Sequence, residues 1–308
     1  MSAAQVDTAV NVLAGALPPG LERPLVCRWP SDIPVAGVVV FCHGLGSNGG
    51  EYAAISRHWA AQGYLVIHPT FDDSIALVAA RNPALGLDPA SDLRRWVTLP
   101  TVRAHMHHIL HAPANWLGRV NTVRAIMDAL PRILAETCGA ADLPAAVAGH
   151  SFGAYTAQLL AGVEIDLPGD PGRSFRDERF RAALILSGQG RDQQGLRDGS
   201  WDRLTIPTLT VTGTLDRGAN GGGVEWKSEP FSQAHAPEQY LAVIEDGDHF
   251  LGGFDGASPR NVPAQAEALR QITTHFLNAT LKADPEARDA LRATPDRIGD
   301  CALTFDYR

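Results

Sequence analysis

Ser151 lies in Gly149-His150-Ser151-Phe152-Gly153, the single G-x-S-x-G of the chain. A serine hydroxyl is a weak nucleophile at neutral pH. It needs a base beside it and hydrogen-bond donors for the oxyanion it creates. Small residues two before and two after such a serine avoid clashes in the strained strand-to-helix turn that projects it. The flanks suit that turn: an apolar run from Ala145 to Ala148 precedes it, and a helix-forming run from Phe152 to Ala161 follows. The positive end of that helix would face the site and favour a developing anion. The structural alternative is a glycine-rich turn that merely packs a helix onto a strand.

The base and its orienting acid come later in the chain. In a strand–turn–helix site of this kind the order is Ser, then Asp or Glu, then His. That order leaves His235, His249 and His275 as bases. His275 falls inside an amphipathic helical pattern, and His235 in an ordinary connection. His249 follows the apolar run Tyr240 to Ile244, at a strand end, where sites of open α/β sheets lie. It is the expected base. Asp216, after the run Pro207 to Thr212, is the expected acid; Asp192 and Asp248 are the alternatives. His150, beside the nucleophile, is read as structural, with its side chain pointing away. The second oxyanion donor belongs to the loop after an early strand. Phe41-Cys42-His43-Gly44-Leu45-Gly46 fits, so the backbone N–H groups of Leu45 and Phe152 are the expected pair.

With these residues assembled, the chain resembles the lipoprotein-associated type of platelet-activating-factor acetylhydrolases and their bacterial α/β-hydrolase relatives, which shade into dienelactone hydrolase-like proteins. The resemblance spans most of the chain. It rests on F-C-H-G-L-G and G-H-S-F-G, on Asn115-Trp116 with Arg119, on Phe175-Arg176-Asp177 and the later LILSGQG, on PTLTVTGTLD, and on Asp248 to Gly253. It implies a serine esterase with Ser151, Asp216 and His249 as triad, Leu45 and Phe152 as oxyanion donors, and no cofactor or metal. The mammalian acetylhydrolases place their acid one strand earlier. Here that position is Gly188-Gln189-Gly190, with no carboxylate before Asp192, so the dienelactone-hydrolase position at Asp216 fits better. The dienelactone enzymes carry a cysteine nucleophile; the serine here favours ordinary esters, of small-molecule or lipid-like type.

The elements that must position these residues read as an α/β fold of one domain over 1–308. Short apolar runs alternate with helical patterns, the signature of a mostly parallel sheet covered on both faces. Strands are expected at Leu25 to Trp29, Val35 to Cys42, Tyr64 to His68, Ala145 to Ala148, Ala182 to Ser187 (within Phe180 to Ser187), Pro207 to Thr212 and Tyr240 to Ile244. Helices are expected at Glu51 to Gln62, Trp116 to Thr137 (bent or divided at Pro131), Phe152 to Ala161 and Pro263 to Leu281. The stretch 71–115, with Pro83, Pro89, Pro100 and Pro113 and only short helical patterns, reads as a cap insertion. His105, His107, His108 and His111 read as a polar helix in that cap, without the carboxylate of a zinc motif. After Pro285 a short helix and a tail are expected.

Composition narrows the partners. The 308 residues carry 26 basic and 34 acidic side chains, a net charge of -8, without a Lys/Arg cluster. That argues against nucleic acid. No apolar run is long enough to span a membrane, and the N-terminus lacks a basic leader, so the cytoplasm is the default expectation. Cys27, Cys42, Cys138 and Cys301 match no metal spacing. Cys42 reads as a buried thiol, and a disulfide through Cys301 is open. Trp96, Trp116, Trp201 and Trp226 read as pocket walls or core, with core the default.

Overall fold

The computed structural model describes residues 4–13, 17, 21–88, 91–253 and 262–308. Parts of the N-terminal stretch, and Pro89 of the expected insertion, lie outside the described residues. The strands are β1 (Val6–Ala9), β2 (Val26–Pro30), β3 (Gly37–Cys42), β4 (Tyr64–His68), β5 (Ala145–His150), β6 (Ile165–Leu167), β7 (Asp170–Arg173), β8 (Phe180–Leu186), β9 (Thr208–Gly213), β10 (Gln239–Ile244), β11 (Arg297–Ile298) and β12 (Cys301–Tyr307). The helices are α1 (Ala53–Ala61), α2 (Ile75–Arg81), α3 (Pro100–His111), α4 (Pro113–Asp128), α5 (Leu130–Thr137), α6 (Phe152–Ala161), α7 (Val224–Lys227), α8 (Glu229–Ser232), α9 (Pro263–Leu281) and α10 (Pro285–Arg292).

The protein is mixed α/β, built on a large, mostly parallel sheet of order β1-β2-β4-β3-β5-β8-β9-β10-β12-β11. Strands β4, β3, β5, β8, β9 and β10 run parallel, and the flanking strands antiparallel. The parallel strands β3, β4, β5 and β9 are buried at every position, which their continuous apolar runs anticipate. Two apolar cores lie on the two faces. One centres on α4, α5 and α6 with Val38, Val40 and Val147. The other centres on α1 and α9 with Val39, Phe41 and Val66. Alternate residues of β3 thus serve opposite layers, as the pleat requires.

The structure corrects or settles several points of the sequence reading. The tail is a strand: β12 pairs antiparallel with β10, Tyr240 opposite Tyr307 through Ile244 opposite Leu303. Its polar outward positions mask it as a tail, and β10 supplies the pairing partner. All four cysteines are free, so no disulfide closes Cys301. The long helix divides as Pro131 anticipates: it splits at Ala129 into α4 and α5, with Pro131 in the first turn of α5, where its missing N–H is harmless. The 71–115 stretch is more helical than its prolines suggest. Pro100 and Pro113 each start a helix, α3 and α4, rather than break one. It also has its own small apolar cluster of Ile75, Val78, Val102 and Met106. Among the described residues, no helix is long and apolar enough to cross a membrane.

Candidate active site

Ser151 caps α6 with φ 56° and ψ -120°, a backbone conformation a non-glycine residue adopts only under constraint. The constraint is close packing. A Cβ on Gly153 would lie 1.9 Å from the carbonyl oxygen of Cys42, and one on Gly149 would lie 2.1 Å from that of Gly153. The two motif glycines therefore let the turn and α6 press directly onto the end of β3. Phe152 opens α6, so its N–H is a first-turn donor without a helical acceptor.

The loops after β9 and β10 meet Ser151 at the same sheet edge. His249 Nε2 lies 2.9 Å from Ser151 Oγ, and His249 Nδ1 lies 2.8 Å from Asp216 Oδ1. Asp216 is fully buried and also accepts from Thr212 Oγ1 at 3.0 Å. A carboxylate can only accept, so Nδ1 carries the proton and Nε2 is free to take one from the serine. Burial works to raise the Asp216 pKa. The hydrogen bond from His249 and the Lys227 ammonium outweigh it and hold the carboxyl well below the usual carboxylate range. Backbone bonds stitch the two loops together: Leu215 N–H donates to Gly247 O at 2.9 Å, and Asp246 N–H to Thr214 Oγ1 at 2.9 Å.

The other candidates lie elsewhere. His235 is exposed near Asp202, and His275 lies partly buried in α9. Asp192 is exposed, and Asp248 accepts from the Phe250 N–H. Among the described residues no group of three or more His, Cys, Asp or Glu is disposed to hold a metal ion. His111 Nδ1 instead lies 2.8 Å from the His107 carbonyl. Burial pushes the Cys42 thiol up to about 12, leaving it inert beside the site.

His150 does not point away. Its Nε2 donates to the backbone carbonyl of His249 at 2.7 Å, and its Nδ1 accepts from Tyr52 Oη at 3.1 Å. Tyr52 Oη in turn accepts from the Gly44 N–H at 3.1 Å. One relay of hydrogen bonds thus connects the loop bearing Leu45, the nucleophile turn and the loop bearing His249. Burial first, and then the nearby His249, push the His150 pKa down to about 3, so the relay stays neutral. Its neighbour in sequence marks the turn, but nothing in the pattern reveals Tyr52 as its partner.

A buried ion pair supports the Leu45 loop from behind. Arg119 on α4 donates from Nε and Nη2 to Asp73 at 2.6 and 2.7 Å, and from Nη1 to the His43 carbonyl at 2.8 Å. Its guanidinium also sits 4.3 Å from the Phe71 ring centroid and 4.1 Å from that of Phe152. One side chain therefore contacts both segments that carry the expected oxyanion donors. Removing one partner of a buried pair costs about 3–5 kcal/mol, because the other charge is stranded. Arg119→Met is expected to lower stability by that amount and kcat by about 100-fold, the worth of one oxyanion donor. The double variant Arg119→Met/Asp73→Leu should recover stability but not kcat. Urea midpoints and initial rates separate the two effects, and full recovery of kcat in the double variant would refute the positioning role.

These residues open into a cleft of about 680 Å³ with Ser151, His249 and Leu45 in its wall. Trp96, Leu110 and Phe250 supply apolar surface, and Trp226 stands beside Lys227. Trp116 and Trp201 are core, whereas Trp96 and Trp226 line this cleft. Asp92 and Arg94 to Thr98, of the 71–115 stretch, form one side of it. Compared with known proteins, the sequence matches no protein-family model and no curated protein.

Proposed function

We propose that this chain is a serine carboxylic ester hydrolase of the α/β-hydrolase fold, akin to the bacterial acetylhydrolase-like and dienelactone hydrolase-like esterases. The observation that carries the reading is the series Ser151 Oγ, His249, Asp216, with contacts of 2.9 and 2.8 Å. The strand–turn–helix setting of Ser151 and the chain order Ser, Asp, His support the fold assignment.

His249 takes the Ser151 proton as the oxygen attacks the ester carbonyl. The N–H groups of Leu45 and Phe152 hold the oxyanion. The tetrahedral intermediate expels the alcohol, which leaves with the proton from His249. Water then gives a proton to His249, attacks the acyl-enzyme, and releases the carboxylic acid and the free serine. Asp216 holds the productive tautomer and balances the imidazolium. The reaction needs no metal or organic cofactor. The apolar cleft walls favour esters with an apolar acyl or alcohol group, as small-molecule sites do.

A fluorophosphonate probe and a series of aryl esters test this. The probe is expected to label native protein once, on the peptide containing Ser151, and to lose its target on prior heat denaturation. Hydrolysis of the esters should stop in step with labelling. Folded protein that neither reacts with the probe nor cleaves any ester would favour a binding protein. Cleavage of amides or thioesters in preference to esters would move the assignment to another acyl bond.

A further inference from the structure

Lys227, at the end of α7, is 2% exposed, and its ammonium lies 3.6 Å from Asp216 Oδ1, the same oxygen that holds His249 Nδ1. The ammonium donates to the Ser187 carbonyl at 3.0 Å. A lysine is almost never buried without a purpose that offsets its desolvation. Burial presses its pKa down, and Asp216 pulls it back up. We propose that Lys227 is a positioning residue that stands as the permanent counter-ion of Asp216 and thereby extends the activity of the site to more acid pH. The proposal rests on the hydrolase reading above.

One buried carboxylate divides its charge between two partners. In a site with only His249 as partner, a buried Asp216 would have its whole negative charge available to hold a proton on the imidazole. Lys227 neutralises that charge before any substrate arrives. The imidazole is then oriented by the hydrogen bond but less strongly driven toward its charged, non-basic form. The cost is a smaller stabilisation of the imidazolium in the transition state, so the device exchanges some rate for a wider pH range.

The remaining groups around the pair do not supply this charge. His150, from the end of β5, is neutral and donates to the His249 backbone. Arg217, next in the Asp216 loop, is exposed and donates to the carbonyls of Thr214 and Asp216. Asp248, in the His249 loop, accepts from the Phe250 N–H. Glu229, on α8, is paired with Arg191. The Trp226 ring centroid lies 5.4 Å from the Lys227 ammonium and carries no charge.

The pH dependence of kcat/KM toward an aryl ester decides the matter in wild type, Lys227→Gln and Lys227→Arg. The glutamine amide can still donate to the Ser187 carbonyl. In Lys227→Gln the acid limb is expected to move to higher pH by about 1 unit, the effect of a neighbouring charge. Activity on the alkaline plateau should rise, because the uncompensated Asp216 then stabilises the imidazolium more strongly. Lys227→Arg keeps the charge, and its limb should stay with that of wild type. A uniform loss at every pH in Lys227→Gln, with the limb unmoved, would mean a packing role only and overturn the proposal. Should Lys227→Gln fail to fold, the uncharged and similarly sized Lys227→Met takes its place: a limb displaced to higher pH supports the proposal, and an unmoved one defeats it. Wild type that is inert to both ester and phosphonate at all pH values would defeat the hydrolase reading and this inference together. An active wild type with an unmoved limb in Lys227→Gln defeats only the inference.

Discussion

Replacing Ser151 with alanine is expected to lower kcat for ester hydrolysis by about 10⁶, and Asp216→Asn by about 10⁴, with KM little changed. The two losses have different physical origins. Ser151→Ala removes the atom that forms the acyl-enzyme. Asp216→Asn keeps the shape of the site but can turn an amide N–H toward His249 Nδ1. The imidazole must then accept at Nδ1 and carry its proton on Nε2, facing the serine, where it cannot act as base. The three groups act in series, so Ser151→Ala/Asp216→Asn should be no slower than Ser151→Ala alone. Active-site titration with the phosphonate gives the concentration of competent sites, and single-turnover rates give the chemical step. Ser151→Ala retaining a few per cent of wild-type kcat, or losses that multiply in the double variant, would contradict the scheme.

The second large effect is on stability. Three histidines are sealed near the site in neutral form. His43 donates from Nδ1 to the Gly44 carbonyl at 2.7 Å and accepts from the Phe71 N–H at 2.9 Å. Burial, followed by the nearby Arg119, pushes its pKa down to about 4. His150 is pushed down to about 3. His68 lies well below its ordinary value, through burial and then Arg28. In each case the unfolded chain binds a proton below about pH 6.5 while the folded chain does not. Their neutral burial therefore has no effect on stability above that pH and weakens the fold as pH falls toward each folded-state value. Three such groups at pH 5 sum to a destabilisation of about 6 kcal/mol relative to pH 8. The depressed carboxyl of Asp216 acts only near and below the ordinary aspartate range, so it leaves this window untouched. Urea unfolding at pH 8, 6.5 and 5 should show a falling midpoint and an uptake of about three protons on unfolding at pH 5. An uptake below one proton would show that these rings are not sealed.

Much of the framework was readable from residue pattern alone. The continuous apolar runs mark β3, β4, β5, β8, β9 and β10 because strands covered on both faces have no polar face to show. Ser151, Asp216 and His249 were found by strand-end position and chain order, and the structure brings them within hydrogen-bond distance of one another. What escaped has a common cause: it depends on partners distant in sequence. β12 becomes a strand only through β10. The pairing of Asp73 with Arg119 joins residues 46 positions apart. Arg119 does flank Val120 and Val123 on the buried side of α4, so a charge beside an apolar stripe was the available signal. Lys227 sits in a short polar stretch with no periodicity, and no local feature marks it as buried. Trp96 and Trp226 read as core by default, with pocket wall as the alternative, because aromatic residues are usually buried; here they border the cavity.

The division of labour around the cleft has a consequence for how such a protein can diversify. The reacting groups stand on loops at the ends of β5, β9 and β10, and the last two loops are laced to each other by main-chain bonds. The wall formed by Asp92 and Arg94 to Thr98 comes from a different stretch, which brings its own apolar nucleus. That nucleus also packs against Leu45, so exchanging the wall would alter which molecules fit and, through the same contact, the seating of the Leu45 loop; selectivity and the proposed oxyanion site must change together.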